Sequence, residues 1–386
     1  MKIGIVLSSP PGYSETFFVN KIKFLKEAGF QVFLFVDRYT PNMNEKCIVG
    51  YSQGNGFFKD IIQNILVLIR LLKSPLRVIN LYYKNRKEQF TVKQNILSIY
   101  SSSHILNYNL DWLYFGFATM AINRENVSKT IGAKMAVSIR GYDISIYPLK
   151  RPNCYDLLWK RIDKLHYISN DLLNIAIANG FPRTKFHIKI TPAIDIKKFN
   201  YKEHTQNEKL KITTIARLHW KKGLEYTLES LSYLKQNGVS FEYIIIGEGE
   251  EYERLKFAAY QFGILENVKF IGKKNQNDVI DILAQTDIYI QYSIQEGFGN
   301  SVLEAQAMGC MCIVSDAEGL NENVLNNETG FVIKKREPKL LFEKIWDVIQ
   351  LDQKSKAEMI NNSVFRLKSE FNLDIQKQRF MNFYLE

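Results

Sequence analysis

Short apolar runs recur along the chain, each set off from the next by a stretch with helical spacing. That alternation constrains the fold more than any other feature. Ile3–Leu7 and Val32–Val36 read as buried strands on either side of a helical run, Thr16–Glu27, that stops at Gly29; Ser14 is a candidate cap for it. Asp111–Phe115, Lys134–Ser138, Lys164–Ser169 and Phe186–Ile190 continue the series, with a helix before Gly180-Phe181-Pro182. A polar stretch, Asn200–Lys209, reads as a linker. Beyond it, strands at Lys211–Ala216, Phe241–Ile246, Val268–Ile271, Asp287–Gln291 and Cys312–Ser315 alternate with helical runs near Leu224–Gln236, Glu251–Phe262 and Asp278–Gln285.

Such alternation predicts an α/β chain of two doubly wound, Rossmann-like domains, each a parallel sheet covered by helices. The expected boundaries are residues 1–200 and 209–370, with residues 371–386 packing back on the first domain. Two such domains leave a cleft between their strand ends, a usual location for a ligand. At 386 residues the chain exceeds one ordinary core, in keeping with two domains.

A composition of 46% hydrophobic and 24% charged residues excludes a disordered chain. The net charge of +11 favours an anionic partner: a phosphorylated ligand, a nucleic acid or an acidic membrane surface. No recognition-helix motif or RNA-binding aromatic signature supports nucleic acid. The four cysteines carry no zinc-type spacing; Cys310 and Cys312 sit in an apolar run and read as buried thiols of a cytoplasmic protein. The N-terminal apolar segment is too short, and wrongly flanked, for a signal peptide. No run of about 18 uncharged apolar residues suggests a spanning helix, which leaves a peripheral place on the inner membrane face as the membrane option.

That option rests on residues 57–93. Lys59, Arg70, Lys73, Arg77, Lys84, Arg86, Lys87 and Lys93 face only Asp60 and Glu88, while Ile61, Ile65, Leu68, Ile69 and Leu72 line one helical face. Two readings stand: a core helix with a solvated basic face, and a surface helix meeting anionic lipid.

The chemistry concentrates at Glu296–Gly309, EGFGNSVLEAQAMG. A strand leads into Gly297 and Gly299, and a helix follows with Gly309 as its C-terminal stop. Glycines at a strand-to-helix turn let a ligand approach the backbone, and the helix start offers unpaired N–H groups to an anion. Glu304 either borders that spot or completes a capping box with Ser301. Arg217 and Lys222 leave the first strand of the second half, a guanidinium and an ammonium that suit a diphosphate or else sit in a solvated turn. Gly247-Glu248-Gly249 closes the next strand, and Arg140-Gly141-Tyr142-Asp143 closes a strand of the first half, where open α/β sheets bind ligands.

Together these pieces resemble the retaining, nucleotide-sugar-dependent glycosyltransferases of family four, which have the two-domain GT-B architecture. The matching residues are Ala216-Arg217-Leu218 with Lys222-Gly223, Gly247-Glu248-Gly249, Val268–Gly272, Glu296-Gly297-Phe298-Gly299 with Glu304-Ala305, Glu318–Glu322 and Thr329-Gly330-Phe331. The first half matches more loosely, at Pro11–Phe17, Arg140–Asp143 and Ala193–Phe199, in the manner of bacterial exopolysaccharide and O-antigen enzymes. The resemblance implies that Arg217 and Lys222 hold the donor diphosphate. It implies Glu304 on the ribose hydroxyls, and Glu296 with the backbone at Phe298, Gly299 and Asn300 on the donor sugar and phosphate. Gly247, and Gly12 in place of a fuller N-terminal glycine loop, belong to the donor side. Arg140, where relatives have His, and Asp143 would face the donor sugar or acceptor. It further implies retention of anomeric configuration and a glycan or lipid-linked acceptor. No Asp-x-Asp pair occurs, so neither metal nor other cofactor is expected, and leaving-group charge falls to Arg217, Lys222 and helix N–H donors. The competing readings are an epimerase or phosphorylase on the same scaffold, and a non-enzymatic basic binding module.

Overall fold

A computed structural model describes residues 1–12, 16–38, 47–50, 57–199 and 208–385, with side chains of 57–60 left aside. The candidate cap Ser14 and most of the expected linker, residues 200–207, lie outside these. Contacts divide the chain into two compact units, Met1–Ile190 with Lys377–Glu386, and Thr191–Gln376.

The first unit holds seven strands: β1 (Lys2–Leu7), β2 (Gln31–Val36), β3 (Cys47–Val49), β4 (Trp112–Phe115), β5 (Lys134–Ser138), β6 (Lys164–Tyr167) and β7 (Phe186–Lys189). They lie in the order β3-β2-β1-β4-β5-β6-β7, and every pairing is parallel. Parallel strands are buried on both faces, which explains their near-continuous apolar runs: β4 is buried throughout, and Ile3–Leu7 of β1 as well. The helix Thr16–Glu27 buries Phe17, Phe18, Ile22, Phe24 and Leu25. The last helix, Leu373–Leu385, sends Phe380 and Phe383 into this core. Phe380 meets Phe17 edge-on at 5.2 Å, and Lys164 Nζ donates to the Phe383 carbonyl at 2.8 Å.

The second unit holds β8 (Leu210–Ile215), β9 (Phe241–Ile246), β10 (Val268–Phe270), β11 (Ile288–Gln291), β12 (Met311–Ser315) and β13 (Phe331–Ile333), in the order β10-β9-β8-β11-β12-β13, again all parallel. Its core gathers Ile212, Leu228, Leu231, Tyr243, Ile290 and Ile313 with the helix residues Leu341 and Ile345. Both sheets reverse their strand order once, between β1 and β4 and between β8 and β11. At such switch points the loops leaving the carboxyl ends diverge and open a crevice.

Two strands escape the sequence pattern. β3 and β13 have three residues each and stand outside the expected series. The basic segment also departs from a core helix. It forms three helices, Phe57–Leu72, Pro75–Lys87 and Val92–Ser102. Pro75 starts the second, and a Thr91–Gln94 capping box starts the third. The face of Ile61, Ile65, Leu68, Ile69 and Leu72 is exposed, Leu72 by 77%, whereas Val67 is buried. Periodicity marked an apolar stripe correctly but cannot say whether the fold covers it. No helix among the described residues is long and apolar enough to cross a membrane.

Candidate functional site

In the second unit the sequence-selected residues converge on the switch point. Arg217 and Lys222 follow β8, while Glu296 and the Gly297–Asn300 turn follow β11, its direct neighbour. The two loops are clipped together: the N–H of Ile294 donates to the Lys221 carbonyl at 2.7 Å. Gly223, at φ +61°, lies so close to β11 that a Cβ there would sit 2.1 Å from the Tyr292 carbonyl oxygen, so this turn admits only glycine. His219 caps the short turn Trp220–Lys222, accepting at Nδ1 from the Lys221 N–H at 3.2 Å.

Lys222 Nζ donates to Glu296 Oε2, so two of the selected residues form an ion pair. The carboxylate has further partners: Ser293 Oγ donates to Oε2 at 3.4 Å, and the Gly297 N–H to Oε1 at 3.2 Å. Arg217 is exposed and makes no hydrogen bond or ion pair with any described residue. Of the two cations the sequence selects, Lys222 is committed to a carboxylate and Arg217 is available to an incoming anion.

The helix Asn300–Ala307 begins at Gly299, whose φ of +83° places the turn in the left-handed region. Its first N–H groups have no side-chain cap. The capping-box reading of Ser301 and Glu304 fails, because Gly299 and not Ser301 is the N-cap. Ser301 Oγ instead lies 2.7 Å from the Tyr289 hydroxyl and 3.3 Å from the Ile215 carbonyl. The carboxyl of Glu304 makes no hydrogen bond among the described residues, and burial alone pushes it up to about 7. Gly309 holds φ +80° just past the helix end, where a left-handed stop belongs.

Phe298 is buried, with its ring 5.8 Å from Phe371, so only its backbone is available to a ligand. Gly247 serves close backbone packing: a Cβ there would meet the Ala216 carbonyl oxygen at 1.9 Å. Leu218 N–H donates to the Glu248 carbonyl at 3.0 Å, so this glycine loop braces the Arg217 loop from behind.

Sequence reasoning missed Asn323. Its Nδ2 donates to the Phe298 carbonyl and, at 3.0 Å, to that of Gly299. Arg366 in turn donates to the carbonyls of Asn323 and Glu322 at 2.9 and 2.6 Å. A Cβ on Gly319 would fall 2.3 Å from the Gly297 carbonyl oxygen. An asparagine between a glycine turn and a buried valine was the available signal, but nothing local says which carbonyls it reaches.

In the first unit, Gly12 and Arg140 follow the carboxyl ends of β1 and β5. The Arg140 guanidinium stacks over Phe17 at 4.0 Å. Asp143 is buried, and its carboxylate accepts the N–H groups of Arg140 at 2.6 Å and Ala118 at 2.9 Å. Burial pushes it up to about 7 against those hydrogen bonds. It therefore ties the helix Gly141–Ser145 to the turn at Ala118, and its oxygens face backbone. Among the described residues no three His, Cys, Asp or Glu side chains are grouped to hold a metal ion.

Two parallel Rossmann-like sheets, each with one switch point, define the fold as GT-B. Residues 195–364 match the family model of the glycosyl transferases group 1. The chain is 30% identical over 229 residues to the amylovoran biosynthesis glycosyltransferase AmsK of Erwinia amylovora, covering 57% of this chain and 56% of that one. The chain thus spans about half the length of that relative. With the putative colanic acid biosynthesis glycosyltransferase WcaL of Escherichia coli it shares 24% identity over 97% of both chains. In fold it is similar to HepE of Anabaena, solved in complex with UDP and glucose, with a TM-score of 0.72, 17% identity and coverage of 99% and 98%.

Proposed function

We propose that the protein transfers a sugar, with retention of configuration, from a nucleotide diphosphate sugar to a glycan or lipid-linked glycan in cell-surface polysaccharide synthesis. The observation that carries this is the exposed Arg217 beside the Lys222–Glu296 pair, on the loop clipped to an uncapped helix start. A diphosphate on Arg217 and the N–H groups of Gly299 and Asn300 meets fixed dipoles and cations that need no rearrangement as charge develops. The acceptor hydroxyl oxygen bonds to the anomeric carbon as the bond from that carbon to phosphate breaks. The hydroxyl proton passes to the departing phosphate, whose negative charge Arg217 and Lys222 neutralise without a metal. Glu296 holds Lys222 and a donor-sugar hydroxyl, and Glu304, with an unengaged carboxyl, accepts from the ribose. Arg140, stacked on Phe17, meets the donor sugar or acceptor near Gly12.

The exposed apolar face of Phe57–Leu72, beside Arg70, Lys73 and Arg77, suits a protein resting on an anionic membrane that carries its acceptor. UDP and glucose in HepE make UDP-hexoses the first donors to try. The test is a thermal-shift panel of UDP, GDP, ADP and TDP, followed by product mass with the matching sugar donor. A diphosphate-dependent shift abolished by Arg217→Ala/Lys222→Ala supports transfer. Equal shifts from any polyanion, indifferent to the double change, refute it, and rearranged nucleotide sugar without net transfer points to an epimerase.

A further inference from the structure

The two faces of β11 differ in kind. Ile288 and Ile290 join the apolar core of the second unit. Tyr289 and Gln291 alternate with them on the opposite face, and Ser293 lies just beyond the strand end. All three are buried, Gln291 to 1% exposure. A buried amide costs free energy unless both its ends are matched, so its partners decide what it does.

Gln291 Nε2 donates to Ser293 Oγ at 2.9 Å, and Gln291 Oε1 accepts from the Tyr289 hydroxyl at 2.9 Å. That hydroxyl lies 2.7 Å from Ser301 Oγ, in the first turn of the helix Asn300–Ala307. At the other end Ser293 Oγ donates to Glu296 Oε2 at 3.4 Å. Ser315 Oγ, on β12, donates to the Ser293 carbonyl at 2.6 Å and fixes the backbone that carries this hydroxyl. One row of side chains thus joins the helix start to the carboxylate that Lys222 grips.

The proton directions along the row are forced. A carboxylate paired with an ammonium offers only acceptors, so Ser293 gives its single proton to Glu296. The Ser293 oxygen then accepts from an N–H, which puts the amide nitrogen of Gln291 toward Ser293 and the amide oxygen toward Tyr289. Burial holds the Tyr289 hydroxyl well above the ordinary tyrosine range, so it keeps the proton that this oxygen accepts. With the amide turned over, its oxygen would take the Ser293 proton and Glu296 would lose this donor.

We propose that Gln291 is a positioning residue for sugar transfer: its side-chain amide sets the direction of the row, aiming the Ser293 hydroxyl at Glu296 and linking β11 to the start of the helix Asn300–Ala307. The role rests on the proposed transfer, in which Glu296 holds Lys222 and a donor-sugar hydroxyl. Gln291 acts only through Ser293 and Tyr289 and, being buried, meets no substrate.

The experiment is a double-variant cycle on the full chain: Gln291→Met, Glu296→Gln and both together. It is read by kcat with the nucleotide sugar that the wild type turns over, and by urea melting. Methionine nearly keeps the volume and removes both amide ends. Gln291→Met should lower kcat about tenfold, the usual worth of one hydrogen bond to a charged group. The double variant should be little slower than Glu296→Gln alone, because both changes break the same row. Where Gln291→Met does not fold, Ser293→Ala leaves the amide in place and should give the same loss, again absorbed by Glu296→Gln. A residue that merely fills the core would slow both backgrounds by the same factor, and that result overturns the proposal. So does a kcat that neither Gln291→Met nor Ser293→Ala changes. Should the wild type transfer no sugar, the proposed activity falls and the urea cycle decides alone. Midpoint shifts that are less than additive then support the row, and additive shifts overturn it.

Discussion

Lys222 and Glu296, from loops that follow neighbouring parallel strands, meet as an ion pair with Ser293 and the Gly297 N–H on the same carboxylate. The pair is partly buried, with side-chain exposures of 23% and 14%. Removing one partner strands the other in a low-dielectric turn, so the pair positions its own members as much as it meets ligand.

Lys222→Ala should lower kcat by on the order of 10²–10³, the usual effect of losing one preorganised donor to developing charge. The same change should cost about 1–2 kcal/mol of stability, less than a fully buried pair because water reaches both groups. Arg217→Ala should match the kinetic loss while leaving the melting temperature unchanged. Urea melts beside turnover measurements separate the two.

Glu304 gives a pH signature. Its folded value near 7 lies above that of the unfolded chain, so the folded state holds a proton that the unfolded state has released across the interval between. Stability from this group is therefore full below the unfolded value and declines as pH rises to about 7. Nucleotide affinity should move the other way, strengthening from pH 6 to 8, because ribose hydroxyls donate to the ionised form. Glu304→Gln should flatten both profiles. An unchanged affinity profile in that variant would remove Glu304 from the ribose.

Asn323→Ala should leave the Phe298 and Gly299 carbonyls without their donor, at a cost of about 1–3 kcal/mol. Because Asn323 acts through the turn, nucleotide KM should rise while kcat changes little, and Asn323→Asp, which cannot donate, should not rescue. Calorimetric melting and a kcat–KM split provide the check.

Lys21 is buried against Tyr114, its Nζ 2.9 Å from the ring centroid and without a hydrogen-bond partner among the described residues. Desolvation, aided by the Arg140 charge, holds its pKa well below the usual lysine value. The unfolded chain then binds more protons over the interval up to the unfolded value, and stability rises with pH there. Lys21→Met should remove that slope and raise the urea midpoint at pH 7.

Ile65→Asp/Leu68→Asp replaces side chains that are 51% and 59% exposed. The melting temperature should hold, since surface changes are usually within about 0.5 kcal/mol. Sedimentation with phosphatidylglycerol vesicles should fall several-fold. Undiminished sedimentation would take this face away from lipid.

The sequence by itself determined the strand series, the helix stops at Gly29 and Gly309, and the placing of Arg217, Lys222, Glu296 and Gly299 at strand ends. These follow from period and glycine chemistry, which are local. Only tertiary structure decided that Lys222 pairs with Glu296, that Asp143 turns to backbone N–H groups, that Phe298 lies in the core and that Asn323 holds the turn. It also left the Ile65 and Leu68 stripe exposed and added β3 and β13. The physical reason is the same throughout. A hydrogen-bond partner or a covering surface comes from residues distant in the chain, and no short-range pattern encodes which of several equivalent partners the packed sheets bring within reach.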